Sequence, residues 1–135
     1  MAAGYSGTPL AKKLSLKDGQ RVWRENMPDH VGAEIEEEGH ALEVLSAPEA
    51  PIDAAHVFVT RRADLEENVE RLLPLLAPAG FLWVSWPKKA AKVPTDITED
   101  VIREIALPLG LVDVKVCAVD SIWSGLKLII RRDRR

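Results

Sequence analysis

The chain has 135 residues, a formal net charge of -3 and 47% hydrophobic residues, which fits one ordinary globular domain. The negative charge argues against a dedicated duplex-DNA binder, because such domains are strongly basic. The apolar runs are too short to span a membrane, and residues 1–13 contain no apolar stretch typical of a secretory signal. Cys117 is the only cysteine, which excludes an internal disulfide bond and a cysteine-built metal site. We therefore expect one cytoplasmic domain over residues 1–135, with no metal and no cofactor.

The acidic residues are concentrated in one segment of the chain. Residues 25–60 hold nine aspartates and glutamates and no lysine or arginine. A solvated acidic helix face explains this segment, and an acidic docking surface is the alternative.

The first predicted elements are short. Thr8 as N-cap and Pro9 at the first helical position predict a helix of one or two turns. A strand at 20–25, a weak helix at 28–38 and a second strand at 41–45 follow. Residues 46–53 show no helical pattern, but about eight extended residues span roughly 26 Å and can return along a sheet without a helix.

Two clear helices separate the next strands. A strand at 56–60 precedes a D-x-x-E pattern at 64–67, which is typical of a helix N-terminus. Pro74 is expected to kink the last turn of that helix. The same D-x-x-E pattern at 96–99 opens the second helix, and Gly110 ends it.

Residues 81–86 form an apolar strand that we expect at the centre of the sheet, because both of its faces are apolar. A fifth strand at 111–119 and a last strand at 126–131 have only a turn between them, so they must form an antiparallel hairpin. The fifth strand is predicted to bury one apolar face, made of Val112, Val114, Val116 and Ala118. The predicted core consists of Val57, Phe58, Val59, Leu72, Leu73, Leu82, Trp83, Val84, Ile102 and Ile105.

Strands that alternate with helices predict a three-layer αβα sandwich. Two passages, LLAPAGFLWVSWPKK and GLVDVKVCAVDSIWSGLKLIIRR, resemble an inner strand and the closing hairpin of S-adenosylmethionine-dependent methyltransferases. This resemblance implies a Rossmann-like, mostly parallel, six-stranded sheet of order 2-1-3-4-6-5 whose last strand is antiparallel.

The methyltransferase resemblance also implies a glycine-rich turn after the first strand, where the backbone approaches the cofactor, and an acidic ribose-binding residue after the second strand. The turn here is RENMP at 24–28, without a glycine, and Glu49 is the candidate acid. The side chains of Glu25, Asn26 and Met27 are expected to fill the cofactor's space, and the Glu25 carboxylate to repel the cofactor's own. We therefore predict that the protein is not an active methyltransferase and does not bind S-adenosylmethionine.

Almost the whole chain is similar to a family of small uncharacterised bacterial proteins known only as a domain of unknown function. The phrases that carry this similarity are GYSGTPLAKKL, FVTRRADLE, WVSWPKKA and TDITEDVIREIALPLGLVDVKVCAVDSIWSGLKLIIRR. The similarity implies no activity, ligand or catalytic residue.

In open α/β sheets, ligands bind outside the carboxyl ends of the strands. That rule predicts an anion-binding site made of Arg24, Thr60, Arg61, Arg62, Trp86, Lys88, Lys89, Asp120 and Trp123. The pairs at 61–62 and 88–89 follow neighbouring strands, so we expect them to form one anion-accepting crevice. Two alternatives are loop charges that only add solubility, and internal compensation by Asp64 and Glu67.

The sequence contains no Ser-His-Asp order, H-E-x-x-H, P-loop or C-x-x-C pattern, so it predicts no catalytic residue. The predicted function is a non-catalytic binding or regulatory domain that accepts a small anionic ligand at the carboxyl edge of the sheet. The alternatives are an enzyme acting on a nucleotide or other anionic small molecule, and a protein-interaction subunit. The expected partners are an anionic small molecule, a second copy of the chain or another protein; a membrane and nucleic acid are not expected.

Overall fold

A computed structural model, which describes residues 7–135, contains one six-stranded sheet and four α-helices. The strands are β1 (Arg21–Glu25), β2 (Glu43–Val44), β3 (Ile52–Phe58), β4 (Leu76–Pro87), β5 (Leu111–Ala118) and β6 (Trp123–Ile130). The helices are α1 (Leu10–Lys13), α2 (Asp29–Glu37), α3 (Arg62–Leu72) and α4 (Glu99–Ala106). Residues 1–6, which bear part of the argument against a secretory signal, lie outside the described residues.

The strand order is β2-β1-β3-β4-β6-β5, with β1 to β4 parallel and β6 antiparallel to both of its neighbours. This confirms the predicted fold class and strand order. The last strand runs antiparallel because only a short turn joins it to β5, whereas a parallel connection needs a dozen residues or more. All parallel strands, and β5, therefore end at the same edge of the sheet.

Each face of the sheet has its own hydrophobic core. Helices α3 and α4 pack on one face, where Val57, Leu82 and Val84 are fully buried. Helices α1 and α2 pack on the other face, against Phe58 and Trp83. All ten predicted core residues are buried except Leu73, which is partly buried.

Several predicted strand boundaries are wrong. β3 begins at Ile52 and β4 at Leu76, because these two residues already pair before the register shifts. β2 has only two residues, since the chain leaves the sheet after Val44. The predicted apolar face of β5 is not buried: Val114 is 50% exposed and Val116 is 52% exposed. A register shift between residues 113 and 115 interrupts the alternation on this edge strand.

The helix starts also differ from the predicted ones. α1 begins at Leu10, so Pro9 rather than Thr8 occupies the N-cap position. Pro74 lies in a short 3-10 turn that follows α3, instead of kinking the helix itself. The N-cap of α4 is Thr98, whose Oγ1 accepts the Val101 amide at 3.2 Å.

The carboxylate at the start of α3 comes from a distant part of the chain. No side chain within α3 caps its N-terminus; Asp96 Oδ1 accepts the Arg62 amide at 2.6 Å instead. The neighbouring Thr95 Oγ1 donates to the Thr60 carbonyl at 2.6 Å. The segment before α4 is therefore fastened across the carboxyl end of β3.

This arrangement predicts different costs for two similar substitutions. We expect Asp96→Ala to lower the free energy of unfolding by about 1–2 kcal/mol, the usual cost of losing a helix cap. We expect Asp64→Ala to cost less than about 0.5 kcal/mol, because Asp64 is exposed and contributes only its charge to the first turn. Urea unfolding of both variants measures the difference, and equal costs would contradict the assignment of Asp96.

No helix in the described part of the chain is both long enough and apolar enough to cross a membrane.

Candidate functional site

The nine residues predicted as one anion site all lie near the carboxyl edge of the sheet, but they fall into four separate environments. Alternate residues of a strand face opposite sides of the sheet, so residues that are adjacent in sequence at a strand end enter different environments. The four environments are the β1–α2 turn, the start of α3, the β4–α4 loop and the β5–β6 turn.

At the end of β1, Arg24 lies beside a buried polar pair. Its partner across the sheet is His56, whose Nε2 lies 2.7 Å from Ser85 Oγ and whose ring stacks on Phe58 at 4.4 Å. Burial, and then the charge of Arg24, lowers the pKa of His56 to about 3. Arg24 is therefore a half-buried cation against a neutral imidazole.

An open groove of about 440 Å³ lies over the β1–α2 turn. Asn26 adopts the left-handed conformation there, with φ of 57°, which glycine and asparagine accept most readily. The turn thus bends as a glycine-containing turn can, although its sequence has no glycine. The groove is lined by Arg24, Asn26, Met27, Pro28, Asp29, Gly32, Ala33 and Glu36.

The two acids that the sequence placed in the cofactor region lie elsewhere. Glu25 points to the opposite side of the sheet, where its Oε1 accepts from Arg71 Nη2 at 2.6 Å. The Glu49 carbonyl accepts from Arg21 Nη2 at 3.3 Å, which puts Glu49 at the amino end of β1. Neither Glu25 nor Glu49, the candidate ribose-binding acid, therefore lines the groove.

At the start of α3, the positive charge of Arg62 is compensated within the chain. Arg62 Nη1 lies 2.8 Å from Glu104 Oε2, and its Nε lies 3.9 Å from Glu66. These partners differ from the predicted Asp64 and Glu67. Arg61 is exposed at the N-cap position of α3, and the Thr60 carbonyl is taken by Thr95.

A cleft of about 680 Å³ opens at the end of β4, between the β4–α4 loop and the N-terminus of α4. Lys88 and Lys89 line it together with Lys92, which is not among the nine predicted residues. Trp86 is 8% exposed and also lines the cleft. The two predicted basic pairs, at 61–62 and 88–89, do not share this cleft.

The β5–β6 turn holds a fixed carboxylate. Asp120 Oδ1 accepts the amides of Ile122 and Trp123 at 2.8 and 2.7 Å, and its Oδ2 lies 2.7 Å from His30 Nε2 on α2. Burial favours a higher pKa for Asp120, but these hydrogen bonds outweigh it and lower the pKa below its ordinary value. The Trp123 ring packs edge-on against Phe58 at 5.1 Å. Asp120 therefore fastens the hairpin turn to α2.

The remaining polar residues suggest no further chemistry. Burial raises the pKa of the half-buried Cys117 thiol, which opposes formation of the reactive thiolate. Residues 7–135 contain no group of three or more histidine, cysteine, aspartate or glutamate side chains that could hold a metal ion.

Sequence reasoning missed four residues at these places. Asn26 was counted as an obstacle, although its positive φ shapes the turn. Glu36 lies two turns after Asp29 on α2 and lines the groove. Lys92 lies on the β4–α4 loop after Lys88 and Lys89 and lines the cleft. His30 meets a carboxylate 90 positions away, which local sequence does not signal.

Three solved structures show what this fold is similar to. A methyltransferase from Aquifex aeolicus has 16% identity and a TM-score of 0.62, covering 90% of this chain and 87% of its own. The N-methyltransferase NodS from Bradyrhizobium japonicum has 15% identity and a TM-score of 0.55, covering 91% and 93%. Aeropyrum pernix fibrillarin, solved with natively bound S-adenosyl-L-methionine, has 10% identity and a TM-score of 0.53, covering 93% and 70%. The fold is that of S-adenosylmethionine-dependent methyltransferases.

The methyltransferase fold corrects the predicted function. The sequence predicted a non-catalytic binding or regulatory domain for a small anionic ligand, and that prediction is contradicted, since chains with this fold include enzymes named as methyltransferases. The low identities establish the fold alone. No protein-family model and no curated protein matches the sequence, so the similarity to the family of unknown function stays a prediction.

Proposed function

We propose that this protein has a methyltransferase-like function and binds S-adenosylmethionine in the groove over the β1–α2 turn. The observation that carries the proposal is the open groove of about 440 Å³ at the end of β1, beside the left-handed Asn26. Small-molecule sites usually measure about 300–1,000 Å³ and lie at the carboxyl ends of strands in such sheets. Fibrillarin from Aeropyrum pernix and LepI share the fold and have been solved with S-adenosylmethionine, which supports the same ligand here.

The charges of the groove suit this ligand. S-adenosylmethionine carries a carboxylate, an amino group and a sulfonium cation, and when bound it supplies an activated methyl group. Arg24 can pair with the carboxylate, while Asp29 and Glu36 can pair with the cationic groups. Within residues 7–135, the Arg24 guanidinium makes no hydrogen bond and no ion pair. Burial lowers the pKa of Arg24, and the charge of Glu36 offsets part of that effect. The groove thus offers one cation and two acids to a ligand with both signs of charge.

The glycine-free turn supports the opposite outcome, in which the chain keeps the fold but is not an active methyltransferase. Two of the sequence arguments for inactivity are weaker in the structure. The Glu25 carboxylate is paired with Arg71, and Asn26 adopts the left-handed conformation that glycine would supply. Met27 remains in the groove lining.

We also propose a cytoplasmic location for this protein.

Titration calorimetry with S-adenosylmethionine and S-adenosylhomocysteine tests the proposal. We expect saturable binding to the wild type, and at least tenfold weaker binding to Arg24→Gln. Ala33→Trp is expected to abolish binding, because Ala33 is exposed in the groove and a tryptophan there would fill it. Ala41→Trp is the matched control, since Ala41 is also exposed but does not line the groove. Absence of wild-type binding at millimolar ligand, or equal binding by the two tryptophan variants, would contradict the proposal.

A further inference from the structure

Three lysines line the cleft at the end of β4 without a partner in the described chain. Lys88, Lys89 and Lys92 make no side-chain hydrogen bond or ion pair within residues 7–135. Lys92 adopts a left-handed conformation, with φ of 56°, where the loop turns towards α4. Like charges that share a cleft repel one another, so an anion between them would be stabilised.

The acids on the rim of the same cleft are already engaged. Glu99 Oε2 and Asp100 Oδ1 lie 3.1 and 3.2 Å from the guanidinium of Arg103. Asp113 Oδ2 also accepts from Arg103, at 3.1 Å, and these contacts raise the pKa of Arg103. Arg103 therefore holds Glu99 and Asp100 on α4, and neither carboxylate pairs with the three lysines within residues 7–135.

The walls of the cleft are partly apolar. Val93, which is 37% exposed, and Pro94 lie on the loop, and the buried residues Trp86 and Ile97 lie beneath it. The cleft measures about 680 Å³, which lies within the usual range of about 300–1,000 Å³ for small-molecule sites. Such a lining favours a compact ligand with an apolar body and an anionic head.

We infer that this lysine cleft holds the acceptor substrate, and that the acceptor is a small molecule with an apolar body and a carboxylate or phosphate group. This inference rests on the proposed function, in which the β1–α2 groove holds S-adenosylmethionine. The cleft and the groove lie at the same carboxyl edge of the sheet, at the ends of β4 and β1, with β3 between these two strands and no lining residue in common. The acidic net charge of -3 favours a small acid over nucleic acid, because nucleic-acid-binding domains are usually strongly basic.

Amide chemical shifts in nitrogen-15-labelled protein test this inference without any activity assay. The probes are phenyl phosphate, benzoate and inorganic phosphate, with benzyl alcohol as the neutral probe. We expect at least one of the two aromatic acids to shift amides within residues 86–100 saturably, and benzyl alcohol to leave them unchanged. A response to phenyl phosphate alone assigns a phosphate head, and a response to benzoate alone a carboxylate. Inorganic phosphate is expected to bind more weakly than the aromatic acid, because it lacks an apolar body.

Two double variants, one that removes lysine charge from the cleft and one that removes it elsewhere, provide a matched comparison. We expect Lys89→Gln with Lys92→Gln to weaken binding of the aromatic acid at least tenfold. Lys12→Gln with Lys17→Gln removes the same charge from a different groove and is expected to have no effect. Shifts outside 86–100, equal affinity in both double variants, or binding of a short single-stranded RNA but of neither aromatic acid would overturn the inference.

The two proposals fail separately. Calorimetry with Ala33→Trp tests whether S-adenosylmethionine binds in the groove. Amide shifts with the lysine variants test whether the aromatic acids bind in the cleft. Shifts in the cleft without any binding of S-adenosylmethionine would remove the methyl-acceptor role and leave an acid-binding site. Binding of S-adenosylmethionine without shifts in the cleft would overturn the acceptor site alone.

Discussion

Trp83→Ala is expected to lower the free energy of unfolding by about 3–5 kcal/mol, the usual cost of truncating a large buried aromatic residue. Trp83 is 1% exposed at the centre of the sheet, and its Nε1 donates to the buried Leu14 carbonyl at 2.9 Å. Its ring also lies against Gly125, where an added Cβ would be 3.2 Å from Cε3. The substitution removes a hydrogen bond and opens a cavity. Urea unfolding measures the combined loss in the free energy of unfolding.

The control for this prediction is Trp123→Ala. Trp123 is only half-buried at the hairpin turn, and its ring makes an edge-on contact with Phe58. We expect it to cost less than half as much as Trp83→Ala. A cost below about 1 kcal/mol for Trp83→Ala, well under the range for core truncations, would remove Trp83 from the core.

Acid is expected to destabilise the protein through His56. Its pKa is about 3 in the folded protein, against an ordinary value of 6.5, so the folded state keeps the ring neutral while the unfolded state takes up a proton. The stability that His56 contributes is therefore complete above pH 6.5 and is lost as the pH falls from 6.5 towards 3. The loss between pH 7 and pH 4 is on the order of 3 kcal/mol, since one pKa unit corresponds to about 1.4 kcal/mol.

The variant that tests this pH dependence is His56→Gln, which does not titrate and can still hydrogen-bond to Ser85. We expect the stability of this variant to fall less steeply than that of the wild type between pH 7 and pH 4. Parallel stability curves for His56→Gln and the wild type would contradict the assignment of a neutral buried His56.

The fold could be predicted because its determinants are local. Apolar strands alternate with amphipathic helices, and the turn between β5 and β6 is too short for a parallel crossover. The burial of side chains on the edge strand β5 could not be predicted in the same way. β5 alternates as a buried strand would, yet Val114 and Val116 are exposed, because β5 is the edge strand of the sheet that residues 7–135 form and the register shifts within it.

The candidate site was harder to predict, because its contacts join distant parts of the chain. Arg62 is neutralised by Glu104, 42 positions away, and its amide is held by Asp96, 34 positions away. Sequence spacing suggested the nearer acids Asp64 and Glu67. The direction of each side chain at a strand end determines which residues line the groove. Arg24 faces the groove, whereas Glu25 faces Arg71 on the other side of the sheet.

The most direct test of the proposed function is a crystal structure of the protein grown with S-adenosylhomocysteine. We expect electron density for the ligand over the β1–α2 turn, with its carboxylate near Arg24 and its amino group near Asp29 or Glu36. Density at another place, or an empty groove at a saturating ligand concentration, would contradict the methyltransferase-like function proposed for this chain.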